Sequence, residues 1–199
     1  MDNTTYTDSS AQGQYTQPTG KKHDIVTKYL SDMVALEGHI YQAIDKQVKE
    51  TQDETDINPK LREIRDTLEG HVNTLRGRLE ALGGQATNPI KEAGASILGV
   101  AAGLIDKLRA EEVSKDLRDD YTAIGLSNIS YVMLITTCLA CNDKETADLA
   151  TRHLKDNAQI AMDLADLVPY AVVRDLSDLT DLNEYAVEEA RERYSSAWK

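Results

Sequence analysis

The chain contains no phenylalanine and one tryptophan. Its core must therefore be filled by Leu, Ile, Val, Ala, Met and Tyr, a palette that suits helices packed at close range. Cysteine is almost absent: Cys138 and Cys141 stand three apart inside a helical pattern and cannot staple distant segments. Basic residues are scarce, 22 against 34 acidic, for a formal charge of -12. With no basic patch, that charge repels a phosphate backbone, so nucleic acid and membrane are not expected partners. The longest weakly polar run, Ala93 to Ile105, is thirteen residues, short of the roughly 20 that span a bilayer. The opening MDNTTYTDSS has neither a cationic region nor an apolar core, so it is not read as a signal peptide, and a cytoplasmic protein is expected.

What remains is helix-forming sequence. At 199 residues one domain is expected. Residues 1 to 22 are mostly Thr, Ser, Gln, Gly and Tyr, too poor in aliphatic surface to offset the entropy of ordering, and read as a disordered tail. From Asp24 to about Glu50, Val26, Leu30, Met33, Glu37, Ile40, Ile44 and Val48 recur at the spacing of one helix face. Asn58-Pro59 reads as an N-cap and first turn. The helix it opens turns Leu61, Ile64, Leu68, Val72, Leu75, Leu79 and Leu82 inward and ends at Gly83-Gly84. A second Asn-Pro, Asn88-Pro89, opens a small-residue segment read as a crossover helix on the bundle. A third helix is expected from roughly Val113 to Cys141 through Leu117, Tyr121, Ile124, Tyr131, Ile135 and Cys138. Asn142, with Glu145 completing a capping box, is expected to open a fourth helix that carries Leu149, Ile160, Leu164 and Leu167 inward and stops at Pro169. Residues 169 to 199 read as a C-terminal amphipathic helix on the bundle or a partner, through Val172, Leu176, Leu179, Leu182, Ala186 and Ala190. Short links make two antiparallel hairpins, and the link of roughly thirty residues between them permits an up-down-down-up order as against simple up-down-up-down.

The segments SDMVALEGHIYQAI, PKLREIRDTLEGHVNTLRGRLEALGG and NDKETADLATRHLKDNAQIAMDLADL resemble the ferritin-like superfamily, nearest to the bacterial stress-associated proteins of the YciE/YciF type. The resemblance covers about Asp24 to Val168. It implies an all-α four-helix bundle over residues 23 to 168, a homodimer or higher homo-oligomer, and two metals held by mid-bundle carboxylates and histidines. Stress responses or oxidative chemistry would be its setting.

Such a metal site needs a Glu from each of two helices and a Glu-x-x-His from each of the others, because i and i+3 share a helix face. Two near-copies, LEGHI at Leu36 and LEGHV at Leu68, invite that reading. Their Glu and His are two apart, about 200° around the helix, so neither copy chelates alone. On the first helix Glu37 lies in the apolar stripe and His39 faces away. On the second, His71 lies in the stripe, Glu69 sits about a quarter turn off it, and Leu68 occupies the place three before His71 where a ligand is needed. On the third, the carboxylate is due near residues 124 to 128, which read IGLSN: Ser127 and Asn128 are polar but uncharged. On the fourth, His153 and Asp156 lie in the stripe with Asn157 beside them.

The candidate metal residues are thus Glu37, His71, His153 and Asp156, with Ser127 and Asn128 in the same inward polar set. Two carboxylates cannot neutralise two divalent ions, which favours a degenerate site over a single iron or manganese ion, and either over a working dinuclear centre. Without metal, a buried Glu37 needs hydrogen bonds, from His71 or Ser127. No catalytic residue is assigned. The Cys-x-x-C spacing reads as core packing, and His23 and His39 as surface histidines. Gly94, Gly99 and Gly103 read as close helix packing, and Arg62, Arg65, Arg76 and Arg78 as a solvated mixed face. The function expected is a stress-associated bundle acting through its surface and oligomeric contacts. The alternative is an iron- or manganese-dependent oxidoreductase or peroxide-handling protein.

Overall fold

The computed structural model describes residues 18–85 and 113–197. The crossover helix expected after Asn88-Pro89, most of the N-terminal tail and Trp198 lie outside the described residues. Among the described residues there are five helices: α1 Lys21–Glu50, α2 Asn58–Ala81, α3 Val113–Ala140, α4 Lys144–Asp175 and α5 Ala186–Ala197. No strand occurs among them.

The apolar stripes read from the sequence are the ones that pack. Every stripe residue from Val26 to Val48 on α1 is buried, as is every one from Leu61 to Leu82 along α2 and its cap. The buried side chains form two layers that fix the topology. One joins Val26 to Val34, Leu75 to Leu82, Tyr131 to Cys138 and Ala147 to Ala150. The other joins Ile40 to Val48, Ile57 to Leu68, Leu117 and Ile124, and Ile160 to Ala171. The start of α1, the end of α2, the end of α3 and the start of α4 therefore share one end of the bundle. The order is up-down-down-up, the ferritin-like arrangement.

Helix termini show where local sequence misled. Asn142 is not the cap of α4. At φ 64 it is the left-handed residue that closes α3, with the Asp143 N-H bonding to the Cys138 carbonyl at 2.8 Å and the Asn142 N-H to Leu139 at 3.2 Å. Asn and Gly tolerate that conformation best. Asp143 caps α4 instead, its carboxylate accepting from the Thr146 N-H at 3.1 Å. Gly83, φ 76, closes α2 by the same motif, with the Gly84 N-H on Leu79 and the Gly83 N-H on Glu80. Asn58 begins α2 one residue later than an N-cap would; its amide Nδ2 donates to the Val48 carbonyl at 2.7 Å and to Thr51 Oγ1 at 3.1 Å, tying the first hairpin shut.

The stop expected at Pro169 is overridden. A proline inside a helix costs about 3 kcal/mol, yet α4 continues to Asp175. Tertiary contacts hold the extra turn: Ala171 is fully buried, Asp175 accepts from the Ser114 N-H at 3.0 Å, and Arg174 donates to Glu54 at 2.6 Å. The C-terminal helix is correspondingly short. Leu176, Leu179 and Leu182, expected on its apolar face, lie in the turns before α5 and are exposed. α5 leans on α4 through Arg191, which donates to Asp166 and Tyr170.

Arg78 is a further correction. It is buried, not solvated: Nε donates to Thr146 Oγ1 at 2.7 Å, Nη1 to Glu145 at 2.7 Å and Nη2 to Asp143 at 2.9 Å. One guanidinium thus locks the end of α2 to the first turn of α4.

Candidate functional site

Midway along the bundle, between the two apolar layers, each of α1 to α4 turns a polar side chain inward. Glu37 is fully buried. Its Oε1 accepts from the Ser127 hydroxyl at 2.5 Å and from Asn157 Nδ2 at 3.0 Å, and Asn157 Nδ2 also reaches Ser127 Oγ at 2.9 Å. Its Oε2 faces His71 Nδ1 at 3.3 Å. The other ring nitrogen of His71 faces Asp156 Oδ2 at 3.2 Å. Carboxylate oxygens only accept, so each His71 contact needs a proton on the ring nitrogen that makes it. Asp156 is the outlet of this chain: its side chain is 54% exposed where that of His71 is 5%.

His153 stacks on His71, ring centroids 4.0 Å apart and planes 12° from parallel. Its nitrogens are taken by neutral partners, Nδ1 by the Tyr131 hydroxyl at 3.0 Å and Nε2 by Thr74 Oγ1 at 3.0 Å. Thr74 already spends its proton on the carbonyls of Gly70 and His71, so it accepts from His153 Nε2-H. Nδ1 then accepts from the Tyr131 O-H, and the ring is neutral. Burial, then the adjacent His71 ring and Arg152, press the His153 pKa down to about 3. The Tyr131 phenol is pushed up, first by burial and then by the Glu37 carboxylate, and stays protonated.

The structure brings Glu37, His71, Ser127, His153 and Asp156 into one layer, and Asn157, noted in sequence only as a neighbour, is central to it. The need for hydrogen bonds to Glu37 is met from Ser127, Asn157 and His71. Asn128 is half-buried and its Oδ1 has no hydrogen-bond partner. Glu69 is exposed and Leu68 buried. Two members went unassigned in the sequence, Thr74 and Tyr131. Their spacing was the available signal: Thr74 follows His71 by three, Tyr131 follows Ser127 by four, and Asn157 follows His153 by four. The surface reading of two other histidines is corrected. His23 Nε2 donates to the Leu82 carbonyl at 2.6 Å, and His39 is half-buried with Nε2 shielded and unpartnered. Cys138 is buried in the apolar layer, and that burial, followed by Asp143, pushes its thiol up to about 12.

For a dinuclear metal centre this donor set does not fit. It offers one buried and one half-exposed carboxylate, and both oxygens of Glu37 and both nitrogens of each histidine are engaged by protein groups. Among the described residues, no three His, Cys, Asp or Glu side chains are placed to hold one ion. One loose end remains beside Glu37: Asn157 Oδ1 is buried with no partner.

Two solved structures share the fold. A protein from Xanthomonas campestris pv. campestris aligns with a TM-score of 0.65 at 16% identity, covering 80% of this chain and 98% of that one. A bacterioferritin from Desulfovibrio desulfuricans, described with a diiron site, aligns at 0.62 and 17% identity, covering 86% of this chain and 91% of that one. At such identities the likeness is one of fold. No curated protein matches the chain. Residues 21–177 match the family described as a domain of unknown function, DUF892. That span contains α1 through α4 and every residue of the mid-bundle layer, so this chain is a member of the DUF892 family with a ferritin-like helical bundle.

Proposed function

We propose that the protein is a stress-associated, cytoplasmic ferritin-like bundle with a degenerate mid-bundle metal site and no strong catalytic activity, acting through its surface as a homodimer or larger homo-oligomer. One observation carries this reading. On α3, in the stretch where a ligating carboxylate is due, Ser127 donates to Glu37. A hydrogen-bond donor there replaces a metal ligand with a partner for one. His71, wedged between Glu37 and Asp156, gives the Glu37 carboxylate a further protein partner where a metal would otherwise bind. The stress association follows from the resemblance to the YciE/YciF-type proteins.

A second reading is a single iron or manganese ion serving oxidoreductase or peroxide chemistry. It is favoured by the convergence of Glu37, His71, His153 and Asp156 and by the unpartnered Asn157 Oδ1 beside them. Those residues would hold the ion once His71 gave up its carboxylate contacts, and the ion would supply redox or Lewis-acid chemistry. Metal analysis separates the two. Purified protein incubated with iron(II) or manganese(II) and desalted should retain far less than one ion per chain, and chelator should leave its melting temperature unchanged. Near-stoichiometric retention, lost in Glu37→Ala, overturns the degenerate reading.

A further inference from the structure

From Tyr121 to Asn142 there is no Asp, Glu, Lys, Arg or His, in a chain that is 28% charged with a net charge of -12. The segment is the greater part of α3, whose inner face is committed to the bundle through Ile124, Ser127, Tyr131, Leu134 and Cys138. Its outer face is uncharged and carries five exposed large apolar side chains, Leu126 44%, Ile129 56%, Val132 44%, Met133 50% and Leu139 55%, with Thr122 and Thr136 among them. By length and composition alone α3 is apolar enough to cross a membrane. Two apolar faces on one helix call for two partners, and among the described residues the bundle provides one.

We propose that the outer face of α3 is a homodimer seam, packing antiparallel against the same face of a second copy across a two-fold axis. This rests on the reading of the chain as a self-assembling bundle and names the surface. Three observations select a second copy. The first is charge. Two bodies of charge -12 repel wherever their acidic surfaces meet, and this face lets them approach with no like charges in contact. The second is spacing. Leu126, Ile129, Met133 and Thr136, with Val132 and Leu139 beside them, follow the alternating three-four rhythm with which paired helices interlock. The stripe from Leu126 to Leu139 runs about 20 Å along the axis, and Gly125 at its margin has open space around its Cα. An antiparallel two-fold pairing centred near Tyr131 sets Ile129 of one copy beside Met133 of the other, and each such contact occurs twice. The third is size. Five half-exposed apolar side chains present on the order of 400 Å² of surface, the scale of a functional patch. That is about half the ~800 Å² each partner buries in a stable interface, a share suited to its apolar centre. A lipid surface fits less well. Insertion of α3 would expose Ser127 and the buried Asp120 on its inner face, and anionic headgroups repel an acidic protein.

The test is sedimentation velocity of the full chain over a wide concentration range, for wild type, Ile129→Glu, Met133→Lys and an equal mixture of the two variants. Both side chains are half-exposed, so the variants keep the helical circular dichroism and melting of a folded bundle, and Ile129→Gln provides a milder check. The expected result is a wild-type dimer of twice 22.0 kDa, monomers for each charged variant alone, and a dimer restored on mixing, when the carboxylate introduced in one copy meets the ammonium introduced in the other. A wild-type dimer that survives in both variants overturns the seam and leaves self-assembly standing. A wild-type monomer at every concentration overturns both. A monomer that binds neutral phosphatidylcholine vesicles, and loses that binding in Ile129→Glu, assigns the face to lipid and overturns the seam as well.

Discussion

Removing the Glu37 carboxylate tests whether the mid-bundle layer holds the helices together by its own hydrogen bonds. Glu37 is 0% exposed and is the shared acceptor of Ser127, Asn157 and His71, which sit on three other helices. In Glu37→Ala those three lose their acceptor together, and a buried His71 loses the negative charge nearest its Nδ1. Breaking a buried pair from one side costs about 3–5 kcal/mol, because hydrogen bonds to charged groups are worth roughly 1.5–3 kcal/mol each and do not add fully. For a chain of this length each kcal/mol moves the melting temperature by roughly 2–4 °C. A drop of roughly 6–20 °C follows, measured by far-ultraviolet circular dichroism at neutral pH with chelator present throughout. The triple change Glu37→Leu, Ser127→Ala, Asn157→Leu removes donors and acceptor together and should recover part of the loss, since an apolar replacement leaves fewer groups unsatisfied. A Glu37→Ala protein that melts within about 2 °C of wild type in chelator, less than ~1 kcal/mol by the same conversion, would refute the claim that these hydrogen bonds hold the four helices in register.

Three further outcomes follow from the same geometry. His153 is held neutral in the native state with its pKa lowered from 6.5 to about 3, so between those values the unfolded chain binds the extra proton and stability falls as pH falls. From pH 8 to pH 5 this removes about 2 kcal/mol, and the urea midpoint of His153→Gln should decline less steeply over that range than that of wild type. Arg78→Leu strands the buried Asp143 and frees the end of α2 from α4, an expected cost of about 3–5 kcal/mol in urea unfolding; Arg76→Leu, half-buried at the margin of the same helix, is the control and should cost no more than about 1 kcal/mol. Gly83→Ala places a side chain at φ 76 and should lower stability by about 1 kcal/mol or somewhat more, read by thermal melting.

Much of this was legible in the sequence. The stripes on α1 and α2 needed only the 3.6-residue period, and the same projection put Glu37 and His71 inside and Glu69 outside. The missing ligands were equally visible, as Leu68 before His71 and as IGLSN on α3. Less legible were the places where one residue type serves two opposite ends of a helix. Asn142 favours an N-cap and a left-handed C-terminal residue alike, and only the carbonyl of Cys138 waiting for the Asp143 N-H decides between them. Pro169 was a fair stop signal by local energetics, overruled by Arg174 and Asp175 reaching Glu54 and Ser114. Arg78 looked solvated because arginine usually is, and its three partners lie 65 to 68 residues away.

Spacings of three and four residues along one chain are enough to set the helices, their inward faces and the shortage of carboxylates. Which inward groups meet depends on how the helices pack: Glu37 with Ser127 and Asn157, His71 with Asp156, and His153 with Tyr131 and Thr74. Those pairs lie 22 to 120 residues apart, beyond the reach of any local period. Whether a buried carboxylate is left in need of a cation or is satisfied by its neighbours depends on distances that only the packing of all four helices sets.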